Sequence, residues 1–250
     1  MINADKYKIL LETFRDGLIA VLGDKLFGIY LYGAITFPET KYTGDLDFHV
    51  ILTTQLTQGE RKQLEELHES LARNFPPLGS EMDGYYLLLE DAKRISPPQS
   101  QMWKRATDNA WALHREHIRA GKCIVLYGPE PTQIYRSADW VELELALRDE
   151  LNYVEMHLKD YPAYCILNLF RLMYSYQTRD VVVSKTAAGT WGEETYPQWK
   201  DLIDCARRSY EGLASGPDEK LILNQISDLC SFVLRRIAES LTVKHNRAAF

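Results

Sequence analysis

The residues best suited to do chemistry are Asp45 and Asp47, twelve and fourteen positions after Gly33 in the segment LYGAITFPETKYTGDLDFHVIL. Side chains at i and i+2 of a strand point to the same face. An Asp-x-Asp at a strand start therefore aims two carboxylates into one space, where they repel unless a cation lies between them. Mg²⁺ takes oxygen ligands and commonly uses one or two carboxylates together with substrate phosphates. Phosphoryl transfer needs that equipment, because its catalysis is mostly positioning and charge neutralisation. An Asp-x-Asp alone is a weak sign, since solvated loop carboxylates often produce it. The wider pattern says more: an apolar strand ending in Gly, a loop, the two acids, then a second apolar strand. Gly33 permits close backbone approach, so the N–H groups beside it can cradle a triphosphate.

Those residues have to be carried by regular elements. Apolar residues at Ile9, Leu10, Phe14, Leu18, Ile19 and Leu22 have helical spacing, with Gly23 as a stop. LFGIYLYG and LDFHVIL read as buried strands on either side of a loop from Ala34 to Gly44 that has room for one helical turn. A helix over Gly59 to Asn74 and a strand over Gly84 to Glu90 follow. Beyond the break ISPPQSQ, a helix over Lys104 to Arg119 leads to a strand in CIVLYGPEP. After Asp139 the pattern is helical: Ser137 to Lys159, Pro162 to Thr178, Tyr196 to Leu213 and Asp218 to His245. The expected fold is thus an α/β domain with a mixed sheet over residues 1–135, followed by an all-α helical bundle over 136–250.

Composition narrows the function classes. The 250 residues are 46% hydrophobic and 26% charged, ordinary for a globular protein. A net charge of −6 argues against a nucleic-acid groove or an anionic membrane surface and suits a cationic small molecule. No run of about 18 apolar residues is present to span a membrane, and the N-terminus has no cleavable signal pattern. Cys123, Cys165, Cys205 and Cys230 lie far apart, away from zinc-type spacing, and read as buried reduced thiols of a cytoplasmic protein.

The segment from Gly33 to Asp47 resembles the signature of the polymerase-β-type nucleotidyltransferase superfamily, which is Gly-Ser, a spacer, then Asp-x-Asp. More closely it resembles the aminoglycoside adenylyltransferases that modify streptomycin and spectinomycin, with the same Gly-to-Asp spacing and a lysine at Lys41. HREHIRAGKCIVLYGPEP, ILNLFRLMYSYQTRDVVVSKTAAGTW and CARRSYEG extend the likeness over nearly the whole chain.

The resemblance implies transfer of AMP from ATP to an acceptor hydroxyl, with release of pyrophosphate. It implies Mg²⁺, expected as a two-metal site, on Asp45, Asp47 and a third carboxylate. Asp83 matches that third position, as general base or metal ligand, with Glu81 as competitor. Gly33, Ala34 and Gly44 would line the phosphates. Arg171, Lys185 (read as lying in a loop) and Tyr210 would meet the nucleotide from the helical domain, and the acceptor would lie between the domains. Asp108 is a further acidic candidate near the nucleotide. His49 reads as a packed strand histidine, and Trp103, Trp111, Trp191 and Trp199 mostly as core.

Two departures stand out. The family has Ser at Ala34 and at Gly44, and each lost hydroxyl contact to a charged group costs roughly 1.5–3 kcal/mol. Thr36 or Thr43 could supply a replacement. The segment that reads streptomycin in the family is here MHLKDYPAYC, without a Trp, while Glu142, Glu144, Asp149, Glu150, Glu155 and Asp160 form an acidic stretch suited to a polycation. The acceptor is expected to be a small aminoglycoside-type molecule. A protein acceptor, or a nucleotide-binding homologue with reduced catalysis, are the other readings.

Overall fold

The computed structural model describes residues 4–40 and 45–247, with side chains described at 7–40 and 45–242. It divides into two compact units, Met1–Asp139 and Trp140–Phe250. In the first, helix α1 (Ala4–Leu22) leads into strand β1 (Leu26–Tyr32), and β2 (Leu46–Leu52) follows the loop. Then come α2 (Gln58–Asn74), β3 (Met82–Leu88), the short α3 (Leu89–Ala92), α4 (Trp111–Arg119) and β4 (Ile124–Tyr127). The sheet order is β3-β2-β1-β4. β2 runs parallel to β3, while β1 is antiparallel to both β2 and β4.

Strand alternation divides the sheet's side chains into two cores. Ile29, Leu31, Leu46, Phe48, Val50 and Tyr86 pack with α1 and α2 residues such as Phe14, Leu18, Leu64 and Leu71. Tyr30, Tyr32, Ile51, Tyr85 and Leu87 pack on the other face with Trp111 and Ile118 of α4 and with Ile134 and Tyr135. Helix α2 starts with a reciprocal cap: Glu60 N–H donates to Thr57 Oγ1 (3.2 Å), and Thr57 N–H donates to the Glu60 carboxylate (2.6 Å).

The second unit holds α5 (Trp140–Met156), α6 (Pro162–Thr178), α7 (Lys185–Thr195), α8 (Lys200–Tyr210) and α9 (Gly216–Arg247). α6 is buried along most of its length and packs against the other four. Among the described residues no helix is long and apolar enough to cross a membrane. Cys165, Cys205 and Cys230 are buried thiols, and Cys123 is half-buried.

Four local expectations need correction. β3 begins at Met82 rather than Gly84, which puts Asp83 inside the strand. The helix expected from Lys104 starts only at Trp111. Trp103, Lys104 and Asp108 adopt positive φ (56°, 48° and 47°), a left-handed backbone that ends any helix. The Lys185 segment is helix, because Ser184 caps it by accepting from Ala187 N–H (3.0 Å). The indole of Trp103 is also half-exposed rather than core.

Three histidines lie inside the first unit. Burial pushes His68 down to about 4 and His114 to about 3, and holds His49 well below its ordinary range. The unfolded chain takes up these protons near pH 6.5, whereas the folded chain resists until far lower. Between about pH 6.5 and 4 the unfolded state therefore binds more protons, and stability falls as pH falls. The urea midpoint should drop between pH 7 and pH 5, with a slope of up to about 1.4 kcal/mol per pH unit for each histidine. A midpoint constant over that range would contradict their burial as neutral rings.

Candidate active site

In the sheet register, Asp47 pairs with Tyr32 of antiparallel β1 on one side and with Asp83 of parallel β3 on the other. Paired residues share a face, so these three side chains stand in a row across three strands. Glu81 precedes β3 and is exposed, its carbonyl accepting from Leu46 N–H (2.8 Å). The register thus sets Asp83, not Glu81, beside Asp47. Asp45 lies just before β2 and is exposed.

Gly33 closes β1 with φ +77° and opens a single 3-10 turn, Gly33–Thr36. A Cβ built on Gly33 would land on the Asp47 carboxylate. The Gly is therefore required twice, by its backbone angle and by the acid packed against it. Thr36 Oγ1 donates to the Gly33 carbonyl (2.8 Å) and so fixes the turn. Ala34 is half-buried within that turn. Gly44, Lys41 and Thr43 lie outside the described residues.

Under the carboxylates lies an aromatic floor. Tyr32 and His49 rings are 4.6 Å apart, and His49 is 5.4 Å from Trp111. Tyr32 Oη is 3.2 Å from His114 Nδ1, and Tyr135 Oη is 3.2 Å from His49 Nδ1. The His49 ring is fully buried, as expected for a packed strand histidine. The Tyr32 hydroxyl is held far above its ordinary range by burial first, then by the negative charges of Asp47 and Asp83. The site above this floor is thus anionic, and its donors are carboxylate oxygens. That chemistry fits a hard divalent cation on Asp45 and Asp47.

Asp83 is engaged differently. Arg105 grips its carboxylate with both terminal nitrogens, Nη1 to Oδ1 and Nη2 to Oδ2, the latter at 3.1 Å. The same guanidinium lies 4.7 Å from the Tyr85 ring centre. Among the described residues no group of three or more His, Cys, Asp and Glu is arranged to hold a metal ion. Asp45, Asp47 and Asp83 therefore do not converge as a three-carboxylate set in this structure. Arg105 was missed in the sequence because it sits in a segment read as helix. Asp108 accepts from Ala110 N–H (2.8 Å) and helps to start α4.

The second unit gathers its own candidates. Arg171 on α6 donates to Glu150 of α5 (3.3 Å), which also accepts from Asn168 Nδ2 (2.7 Å) and Tyr164 Oη (3.1 Å). Lys185 is the first residue of α7, with its Nζ 4.4 Å from the Tyr164 ring centre and 5.2 Å from that of Tyr210. A cation at a helix N-terminus opposes the helix dipole, so Lys185 is not there for the helix. Tyr164 and Tyr210 also line a cavity of about 490 Å³, with Tyr153, Tyr161, Pro162, Ala163, Ser209 and Glu219. The structure thus brings Arg171, Lys185 and Tyr210 around Tyr164. Glu150, counted in the sequence as one acid of a wall, is the hub that holds Arg171.

The chain is similar to known proteins. Residues 136–236 match the family model "Aminoglycoside adenylyltransferase, C-terminal domain". The spectinomycin 9-adenylyltransferases of Staphylococcus aureus strains Mu50 and N315 are each 22% identical to this chain over 239 residues, covering 88% of it and 91% of them. This chain is thus similar to the aminoglycoside adenylyltransferases. Its fold is also that of the spectinomycin adenyltransferase AAD(9) from Enterococcus faecialis, solved with ATP and spectinomycin. The two superpose with a TM-score of 0.73 at 15% identity, over 92% of this chain and 99% of that one.

The Glu150 hub can be tested directly. Asn168 is fully buried, so Glu150→Ala strands its amide and frees Arg171. Urea unfolding should show a loss of about 1–3 kcal/mol, with Glu150→Gln losing less. An unchanged midpoint in Glu150→Ala would contradict the hub.

Proposed function

We propose that this protein transfers AMP from ATP to a hydroxyl of an aminoglycoside-type antibiotic and releases pyrophosphate. The observation that supports this most is the Asp47 carboxylate lodged against Gly33, with Asp83 beside it in register. The relatives named for spectinomycin adenylylation point to the same acceptor class.

Asp45 and Asp47 would hold Mg²⁺, which supplies neutralisation of the triphosphate charge when bound. The turn at Gly33 and Ala34 would offer its backbone to the phosphates, and Gly44 is expected to do the same from the family pattern. Asp83, as general base, accepts the proton of the acceptor hydroxyl. The hydroxyl oxygen bonds to the α-phosphorus, and the bond from that phosphorus to the pyrophosphate oxygen breaks. By the family resemblance, Lys185 and Arg171 would supply positive charge to the nucleotide. Tyr210 and Tyr164 offer flat faces for a ring beside Lys185. The chain's net charge of −6 favours the approach of a polycationic acceptor.

Two substitutions check this reading. Asp47→Ala should abolish pyrophosphate release with ATP, Mg²⁺ and spectinomycin or streptomycin. Gly33→Ala should fold, yet lose at least about a hundredfold in turnover, because the new methyl displaces the Asp47 carboxylate and a misplacement of about 1 Å costs that much. Full activity in either variant would sink the assignment.

A further inference from the structure

Arg105 is delivered to Asp83 by a stiff and strained clip. Gln101 N–H donates to the Tyr86 carbonyl (2.7 Å), and Ser100 Oγ accepts from the N–H groups of Tyr86 and Met102 (3.2 Å each). Ser100 N–H donates to the Arg105 carbonyl (2.8 Å), and Gln99 bridges Ala106. Met102 is buried, and Trp103 packs edge-on against His68 and Tyr86. Among the described residues four non-glycine positions have positive φ, and Trp103, Lys104 and Asp108 in this clip are three of them. Such strain persists only where surrounding structure over-determines it, and it gathers at functional sites.

Stability does not account for the Arg105–Asp83 pair. The Arg105–Asp83 pair is nearly half exposed on both sides, 43% and 44%. Pairs that open to solvent contribute little. What the clip achieves is charge placement. Asp47 and Asp83 are sheet neighbours, and two adjacent carboxylates call for a cation. On Asp83 that cation is a guanidinium in fork geometry, matched to both oxygens.

We infer that Arg105 fills the cation position on Asp83, so that a divalent ion is held through Asp45 and Asp47 while Asp83 stays off the metal. This rests on the metal reading above. The fork occupies one lone pair on each Asp83 oxygen and leaves the others for an acceptor hydroxyl. Arg105 is thus a positioning residue, and the site takes one protein-held divalent ion in place of the expected two.

The test is Mn²⁺ affinity, read by electron paramagnetic resonance titration of the full chain without nucleotide. Arg105→Gln releases Asp83 to the ion and should tighten binding about tenfold, the scale of a change next to a metal's ligands. The charge-balanced double variant D83N/R105Q should return to within about twofold of wild type. Arg105→Lys keeps the charge without the fork and should fall between wild type and Arg105→Gln, so the comparison survives if Arg105→Gln does not fold. A double variant about tenfold weaker than wild type would show that Asp83 already binds the ion and overturn the inference. So would a gain in Arg105→Gln that persists in the double variant, since it would be a field effect alone. Asp47→Asn separates the two levels: unchanged Mn²⁺ binding there removes the metal reading itself, and the inference with it.

Discussion

The packing of the Asp47 carboxylate against the backbone of Gly33 is the contact on which the rest depends. It requires a residue without Cβ at the end of β1, at φ +77°. It requires β1 and β2 to be antiparallel in the register that opposes Tyr32 to Asp47. It also fixes which residue of β3 becomes the neighbour, because the parallel pairing continues the row to Asp83. A slip of one residue in either ladder would turn the carboxylates to the opposite face, into the core beneath α1 and α2.

Around that contact the molecule has arranged an anionic rim over a neutral floor. Tyr32, His49, Trp111, His114 and Tyr135 form a layer whose histidines stay uncharged and whose Tyr32 hydroxyl stays protonated. A floor of this kind keeps the dielectric low and makes the carboxylates' demand for positive charge stronger. The Arg105 clip answers part of that demand from the protein itself. The same economy recurs in the second unit, where Glu150 holds Arg171, and Tyr164 and Tyr210 flank Lys185. Each of these two cations is held in place by an acid or a ring. Pre-organisation of this kind reduces the ordering needed when ligand arrives.

Much of this was legible in the sequence. Strand β2 and helix α6 have the limits their apolar patterns predict, because both are buried and bounded by strong signals: acids and Gly before β2, Pro162 at the start of α6. The Gly33-to-Asp47 motif was legible because its spacing matches a known signature, and packing brings the two residues together. The Arg105 clip was not. Met102, Trp103 and Ala106 have helical spacing, and tertiary ties to Tyr86 and His68 hold the left-handed backbone at Trp103 and Lys104. Helix α7 was also missed. KTAAGTWGEET carries two glycines and three threonines, poor helix formers that Ser184's cap and packing on α6 overcome. Glu150 could not be told from its acidic neighbours, since its role depends on α6 lying across α5.

The central claim is the chemistry of the acceptor. Spectinomycin and streptomycin, each incubated with the protein, ATP and Mg²⁺, should be examined by mass spectrometry. At least one should gain a single AMP, with one pyrophosphate released per molecule modified. Unmodified drugs with every nucleoside triphosphate, from a protein that nonetheless binds ATP and Mg²⁺, would contradict it.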